Sequence, residues 1–119
     1  MQSFSVYLVA FVAIEHLCFL YLEMFMWTRP LGRRVFGLSK GDAQTTRTLA
    51  LNQGLYNGFL SAGLVWGLLH SNAIFGLQIQ QFFLFCVLVA AIVGGLTVKR
   101  SILLMQGLPA MLALASLLC

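Results

Sequence analysis

Three titratable side chains lie in a segment that is otherwise almost wholly apolar, AIEHLCFLYLEMF, residues 13–25. They are Glu15, His16 and Glu23, and apart from Asp42 these two glutamates are the only acidic residues of the chain. Carboxyl and imidazole groups are the side chains that most often give and take protons in proteins. The segment therefore predicts a place where a proton or a polar ligand is held inside apolar surroundings.

The spacing of these residues puts them on one face of a helix. His16 and Glu23 are seven positions apart, which separates them by only about 20° around the helix axis. Glu15 and Glu23 are eight apart, or about 80°. A carboxylate that faces lipid at mid-depth costs at least ~2.5 kcal/mol. We therefore expect this face to point into the protein, toward a second helix.

Polar side chains that could meet this face occur in LNQGLYNGFLSAG, residues 51–63, and once more near the C-terminus. Gln53, Asn57 and Ser61 are spaced by four and form one stripe, and two further polar residues of that segment form the neighbouring stripe. Polar groups of this kind also fix helix packing by hydrogen bonds across helices, without any other role. The predicted ligand or proton site consists of Glu15, His16, Glu23, Asn52, Gln53, Tyr56, Asn57 and Gln106.

Composition indicates which elements carry these residues. The chain has 119 residues, of which 61% are hydrophobic and only 8% charged, whereas soluble domains average about 25% charged residues. Four apolar segments, at about 4–27, 48–69, 73–98 and 101–119, each approach the ~20 residues that a membrane-spanning helix needs. We predict an all-α, integral membrane four-helix bundle that forms a single transmembrane domain over residues 1–119.

The basic residues predict the orientation of this bundle. All seven fall between the first and second segments, in the loop 28–47, or between the third and fourth. Such loops remain in the cytoplasm, so we expect a multi-pass protein of the cell (inner) membrane with both termini on the outer side. The net charge of +4 is then explained by topology and membrane lipids, and we expect no nucleic-acid partner. The residues are Arg29, Arg33, Arg34, Lys40, Arg47, Lys99 and Arg100.

Motifs for metals, nucleotides and hydrolysis are missing from the sequence. It has no HExxH, P-loop or GxSxG pattern, and Glu15-His16 lacks the Glu-x-x-His spacing of diiron bundles. We predict no metal and no cofactor. The GxxxG pairs Gly54/Gly58 and Gly63/Gly67 favour close helix packing, and they leave room for a parallel homo-oligomer. Pro109 should kink the fourth helix or open its backbone.

Two long stretches resemble a known family. EHLCFLYLEMFMWTRPLGRRVFGL, residues 15–38, and LALNQGLYNGFLSAGLVWG, residues 49–67, are similar to the domain of unknown function 1304 family. The resemblance implies a small integral membrane protein with four helices. It also implies that most of the predicted site belongs to the family's characteristic motifs, and it supplies no activity. These motif residues are Glu15, His16, Glu23, Asn52, Gln53, Tyr56 and Asn57.

Three functional hypotheses follow from these observations. The one we favour is a protein that binds or transports a small or amphipathic solute, with coupling to a proton held by Glu15, His16 or Glu23. The second is a membrane-embedded enzyme that modifies a lipid by acid-base chemistry, for which glutamate and histidine are suitable groups. The third is a structural or accessory membrane protein whose polar residues only specify packing.

Overall fold

The structure, a computed structural model, describes residues 2–119 and is all-α, with no strand among those residues. Two of its helices are long and apolar enough to cross a membrane, Ser3–Phe25 and Ala73–Thr97. Near the C-terminus a π-helical segment, Leu103–Gly107, comes directly before the last α-helix. The α-helices are α1 Gln2–Phe25, α2 Pro30–Phe36, α3 Lys40–Thr45, α4 Arg47–Leu69, α5 Ala73–Thr97 and α6 Leu108–Leu118.

The predicted loop 28–47 is itself largely helical, because the sequence supplies start and stop signals inside it. Pro30 occupies the first turn of α2, where its missing N–H is not needed. Gly37 ends that helix in the left-handed conformation, with φ of 65°. Ser39 then caps α3 by accepting a hydrogen bond from the Asp42 backbone N–H at 3.0 Å. Residues 2–119 therefore form six α-helices, two of them short helices within this loop, and the four-helix membrane bundle stays a prediction.

The chain divides into two compact units. One unit contains the N-terminal residues up to Ile14 together with Leu60–Cys119, and the other is Glu15–Phe59. The core of the first unit is built from fully buried aliphatic side chains, among them Val9, Leu64 and Leu84. Within this unit the Ser61 hydroxyl donates a hydrogen bond to the Ala13 carbonyl at 2.8 Å, so one member of the predicted polar stripe is used in packing.

The predicted fourth helix, 101–119, is interrupted by the π-helical segment. The Leu108 N–H donates to the Leu103 carbonyl, which is five residues back rather than four. The cause follows in the sequence: Pro109 has no N–H to donate, and its ring clashes with the carbonyl four residues earlier in a regular α-helix. The expected opening of the backbone before Pro109 takes this form.

In the unit Glu15–Phe59, α1 and α4 approach closely at Gly54. A Cβ added to Gly54 would lie 2.6 Å from the Met24 Cγ and 3.2 Å from the Leu20 carbonyl oxygen. A Cβ on Gly58 would likewise meet Leu20. This GxxxG pair therefore serves contact between two helices of the same chain, and the close approach brings the polar groups of α1 and α4 within hydrogen-bonding range.

Candidate functional site

Helices α1 and α4 share a polar contact between Glu23 and Asn57. The Asn57 Nδ2 donates a hydrogen bond to the Glu23 Oε1. Asn57 is buried, with 5% of its surface exposed, and Glu23 is partly buried. The Glu23 side chain therefore points toward α4, as its position on the helix predicts.

Glu23 lies where a carboxylate is electrostatically unfavourable. The helix α1 ends at Phe25, two residues earlier than predicted, so Glu23 falls in the last turn. The C-terminal end of a helix carries partial negative charge, and an acidic side chain there is disfavoured by about 0.3–1 kcal/mol. The hydrogen bond from Asn57, of a kind typically worth about 1.5–3 kcal/mol when one partner is charged, offsets this penalty.

A polar cleft of about 440 Å³ opens beside this pair. Its walls come from the end of α1, the turn that follows it, and the region where α3 meets α4. We call it the inner cleft. Its polar lining residues are Glu23, Thr28, Arg29, Gln44, Arg47 and Thr48.

Trp27 forms part of the wall of the inner cleft and is held from two sides. Its Nε1 donates a hydrogen bond to the Thr46 Oγ1 at 3.0 Å, and its ring packs on Phe36 with centroids 4.8 Å apart. The Thr46 hydroxyl in turn donates to the Asp42 carbonyl at 2.7 Å. These contacts tie α2 and α3 to the end of α1, so the short helices of the loop give the cleft a defined shape.

The charged side chains that line the inner cleft, Glu23, Arg29 and Arg47, do not form ion pairs with one another. Within the described residues, no carboxylate lies in ion-pair distance of the Arg29 or Arg47 guanidinium. The Glu23 Oε2 likewise accepts no hydrogen bond from any residue that the structure describes. The cleft thus offers two cationic groups and one carboxylate oxygen to a ligand.

A second acidic residue, Glu15, lies two turns earlier on α1. Its Oε1 is 4.0 Å from the Nδ1 of His16. His16 is fully buried, and its ring meets Phe19 edge-on with centroids 5.3 Å apart. The Glu15 Oε1 is buried and accepts no hydrogen bond from the residues described. At 4.0 Å the two groups are close enough to interact electrostatically when the imidazole is protonated, and too far apart for a direct hydrogen bond.

Comparison with known proteins decides the family. Residues 10–118 match the family described as protein of unknown function (DUF1304). The chain belongs to the DUF1304 family. Its relatives include "Uncharacterized protein YpaA" of Lactococcus lactis subsp. lactis (strain IL1403), which is 35% identical over 118 residues, 98% of each chain. No solved structure gives a significant match. The resemblance inferred from the two motif stretches is confirmed.

The other predicted site residues of this DUF1304 protein are placed differently. Asn52, Gln53 and Tyr56 are exposed, and the Asn52 amide donates to the Thr48 carbonyl of its own helix at 3.3 Å. Residues spaced by four drift about 40° per step around a helix. Gln53 therefore lies on an exposed side of α4, although Asn57, four residues later, is buried. Gln106 belongs to the other compact unit, where it lies half-buried in the π-helical segment.

Sequence reasoning missed Trp27, Arg29 and Arg47 as members of the candidate site. It assigned the two arginines to topology. The sequence does contain a signal that these two arginines lie close together, because Arg29 follows α1 and Arg47 begins α4. Residues at the two ends of a connection between neighbouring antiparallel helices lie near each other in space, and here they line one cleft.

The donor set of the site does not suit a metal ion. Among the described residues, no cluster of three or more His, Cys, Asp or Glu side chains could hold one. The polar side chains that line the inner cleft can form hydrogen bonds and ion pairs with a ligand.

Proposed function

We propose that this DUF1304 protein is a multi-pass protein of the cell (inner) membrane that binds a small or amphipathic solute in the inner cleft. The membrane location is supported by two helices of spanning length and by the low content of charged residues. The positive-inside rule puts the basic loops, and with them the cleft, at the cytoplasmic face. The cleft then opens at the inner edge of the bilayer, where an amphipathic molecule can enter from the lipid.

The observation that carries the proposal is the hydrogen bond by which buried Asn57 holds Glu23, a residue that lines the inner cleft. Asn57 orients the carboxylate through Oε1, and Oε2 has no partner among the described residues. A contact needed for packing alone would be served by two neutral amides, without a carboxylate at the unfavourable end of a helix. Groups that are held in place and left with unused bonding capacity are typical of ligand sites.

Coupling to a proton is the second part of the proposal, and the contact between Glu15 and His16 favours it. Ionisable side chains inside membrane segments commonly mark proton or solute pathways. Glu15 and Glu23 belong to the same helix, eight positions apart, so a change of protonation at one alters the electrostatic potential at the other. Binding of a charged solute at Glu23 would then be accompanied by uptake or release of a proton at Glu15 and His16.

Native mass spectrometry of the purified protein tests the binding proposal. The protein is extracted from its membrane in a mild detergent, and co-purifying molecules are identified by their mass. We expect an amphiphile bound to the wild type and reduced at least about tenfold in the double variant Glu23→Gln, Arg47→Gln. The matched control is Asn52→Ala, which removes an exposed amide of α4 outside the cleft. Absence of any bound molecule from the wild type would refute the proposal.

Proteoliposomes that enclose a pH-sensitive dye test the coupling. The amphiphile identified above is added outside, and internal pH is recorded for the wild type and for Glu15→Gln. We expect a pH change that depends on the amphiphile and disappears in the variant, while binding remains. Chemical conversion of the amphiphile, followed by mass spectrometry in the same sample, would instead favour the lipid-modifying enzyme.

A further inference from the structure

The charges of the inner cleft define the class of its ligand. We infer that the cleft binds a zwitterionic headgroup, with a phosphate-type anion at Arg29 and Arg47 and a primary amine at Glu23. The inference rests on the proposed function, since it names the solute that the same cleft would take. It assigns that solute to the amphiphiles that carry both a phosphodiester and an ammonium group.

The anionic half of the headgroup is indicated by the two arginines. Arg29 and Arg47 come from opposite ends of the connection between α1 and α4 and line the same cleft. Neither has a carboxylate partner among the described residues. Guanidinium groups bind phosphate oxygens with two parallel hydrogen bonds, which makes arginine the preferred residue for such anions. Thr48 and Gln44, also in the lining, add neutral donors.

The amine half is indicated by Glu23. Asn57 fixes its Oε1, and Oε2 accepts no hydrogen bond within the part of the chain that the structure describes. A primary ammonium has three N–H donors and can satisfy that oxygen. A quaternary ammonium has no N–H, and it would leave the carboxylate oxygen desolvated without a hydrogen bond, which is unfavourable. The cleft should therefore prefer a primary amine to a methylated one.

The apolar part of the ligand is indicated by the rim of the cleft. The lining includes Phe25 and Leu51 besides its polar residues. Both side chains are largely exposed, Phe25 at 63% and Leu51 at 45%. They provide an apolar track beside the charged groups, along which an acyl chain can lie while its headgroup occupies the cleft. A lipid satisfies both surfaces together, whereas a free headgroup satisfies only the polar one.

Fluorescence of Trp27 measures binding directly. In a Trp66→Phe background Trp27 is the sole tryptophan, and Trp66 is an exposed residue that does not line the inner cleft. The purified protein in detergent is titrated with four probes, each below its micelle concentration. They are dihexanoyl phosphatidylethanolamine, the matching phosphatidylcholine and phosphatidylglycerol, and free phosphoethanolamine.

We expect phosphatidylethanolamine to bind at least about tenfold more tightly than phosphatidylcholine, since only the former can donate a hydrogen bond to Glu23. Arg29→Gln changes an exposed side chain and should weaken phosphatidylethanolamine and phosphatidylglycerol alike. Glu23→Gln should abolish the preference for the primary amine. Asn52→Ala should leave all four affinities unchanged.

The outcomes separate this inference from the function on which it rests. If phosphatidylcholine bound as tightly as phosphatidylethanolamine, or phosphatidylglycerol bound more tightly, the inferred preference for a zwitterionic headgroup with a primary amine would be overturned. The cleft would still be a lipid-binding site. Equal affinity for free phosphoethanolamine would support the charge arrangement and assign the ligand to the soluble pool. If none of the four probes bound, the inference would be overturned. The proposed function would then be decided by whether native mass spectrometry finds a co-purified molecule.

Discussion

The side-chain amide of Asn57 donates a hydrogen bond to the carboxylate of Glu23, across 34 positions of the sequence. The bond joins the middle of α4 to the last turn of α1 in the unit Glu15–Phe59. It orients an acidic group in the wall of the inner cleft, which Arg29 and Arg47 also line. The contact is thus both a packing interaction and part of the candidate site, and the two roles can be separated by experiment.

Replacement of Asn57 by alanine should lower the free energy of unfolding by about 1.5–3 kcal/mol, because the carboxylate of Glu23 loses its donor. The measurement is thermal unfolding in detergent, followed by circular dichroism. Asn52→Ala is the control and should change stability by less than about 0.5 kcal/mol, since Asn52 is exposed. In a double-mutant cycle the effects of Asn57→Ala and Glu23→Gln should be non-additive. Additive effects would show that the two side chains act independently.

Gly32 is expected to be essential for the position of α2. An added Cβ would overlap the carbonyl oxygen of Met26, so Gly32→Ala must displace the helix that carries Phe36. We expect a loss of about 1–3 kcal/mol and a shift of the Trp27 emission. Gly41→Ala is the matched control, since nothing lies within 4 Å of its added Cβ. It should be neutral or stabilise by up to about 1 kcal/mol. Equal stability of both variants would contradict the close approach.

Replacement of Pro109 by alanine should convert the π-helical segment toward α-helix, because residue 109 gains an N–H and loses the clashing ring. Hydrogen exchange of residues 103–109 should then slow, measured by mass spectrometry of the peptide that contains them. Pro30→Ala is the control, since a proline in the first turn of a helix replaces no hydrogen bond. Unchanged exchange around residue 109 would mean that packing, rather than proline, causes the π geometry.

The proposed orientation predicts which cysteines a membrane-impermeant maleimide reaches in whole cells. In a background without the three native cysteines, Ser71→Cys lies in the turn between α4 and α5 and should be labelled from outside. Gly41→Cys lies in α3, within the basic loop, and should react only after the membrane is permeabilised. The reverse labelling pattern would overturn the proposed topology, and equal labelling of both sites in intact cells would exclude a single orientation.

Local sequence signals determined much of the fold. Apolar segments of membrane-spanning length predict long helices, and the change to His70-Ser71-Asn72 indicates where one of them stops. The Asn72 side chain caps the next helix by accepting from the backbone N–H groups of Ile74 and Phe75, each at 3.0 Å. Pro109 likewise indicates the interruption before α6. These features were predictable because each depends on residues within one or two helical turns.

The candidate site was predictable only in part. Glu23 and Asn57 are prominent because polar groups in apolar segments are rare, and the structure brings them together. Arg29 and Arg47 were hidden among residues that a topology rule already explains. The sequence also did not predict that Asn57 is buried while Gln53 is exposed, because both residues belong to the same stripe.

The sequence by itself determined the all-α class, the family, and the segment that concentrates the carboxylates. Only the tertiary structure decided which face of each helix is buried and that the ends of the 28–47 connection close around a cleft. The physical reason lies in the helices themselves. A helix that is apolar on every side has no polar stripe to mark its outer face, so its rotation is set by close contacts such as Gly54 against Leu20.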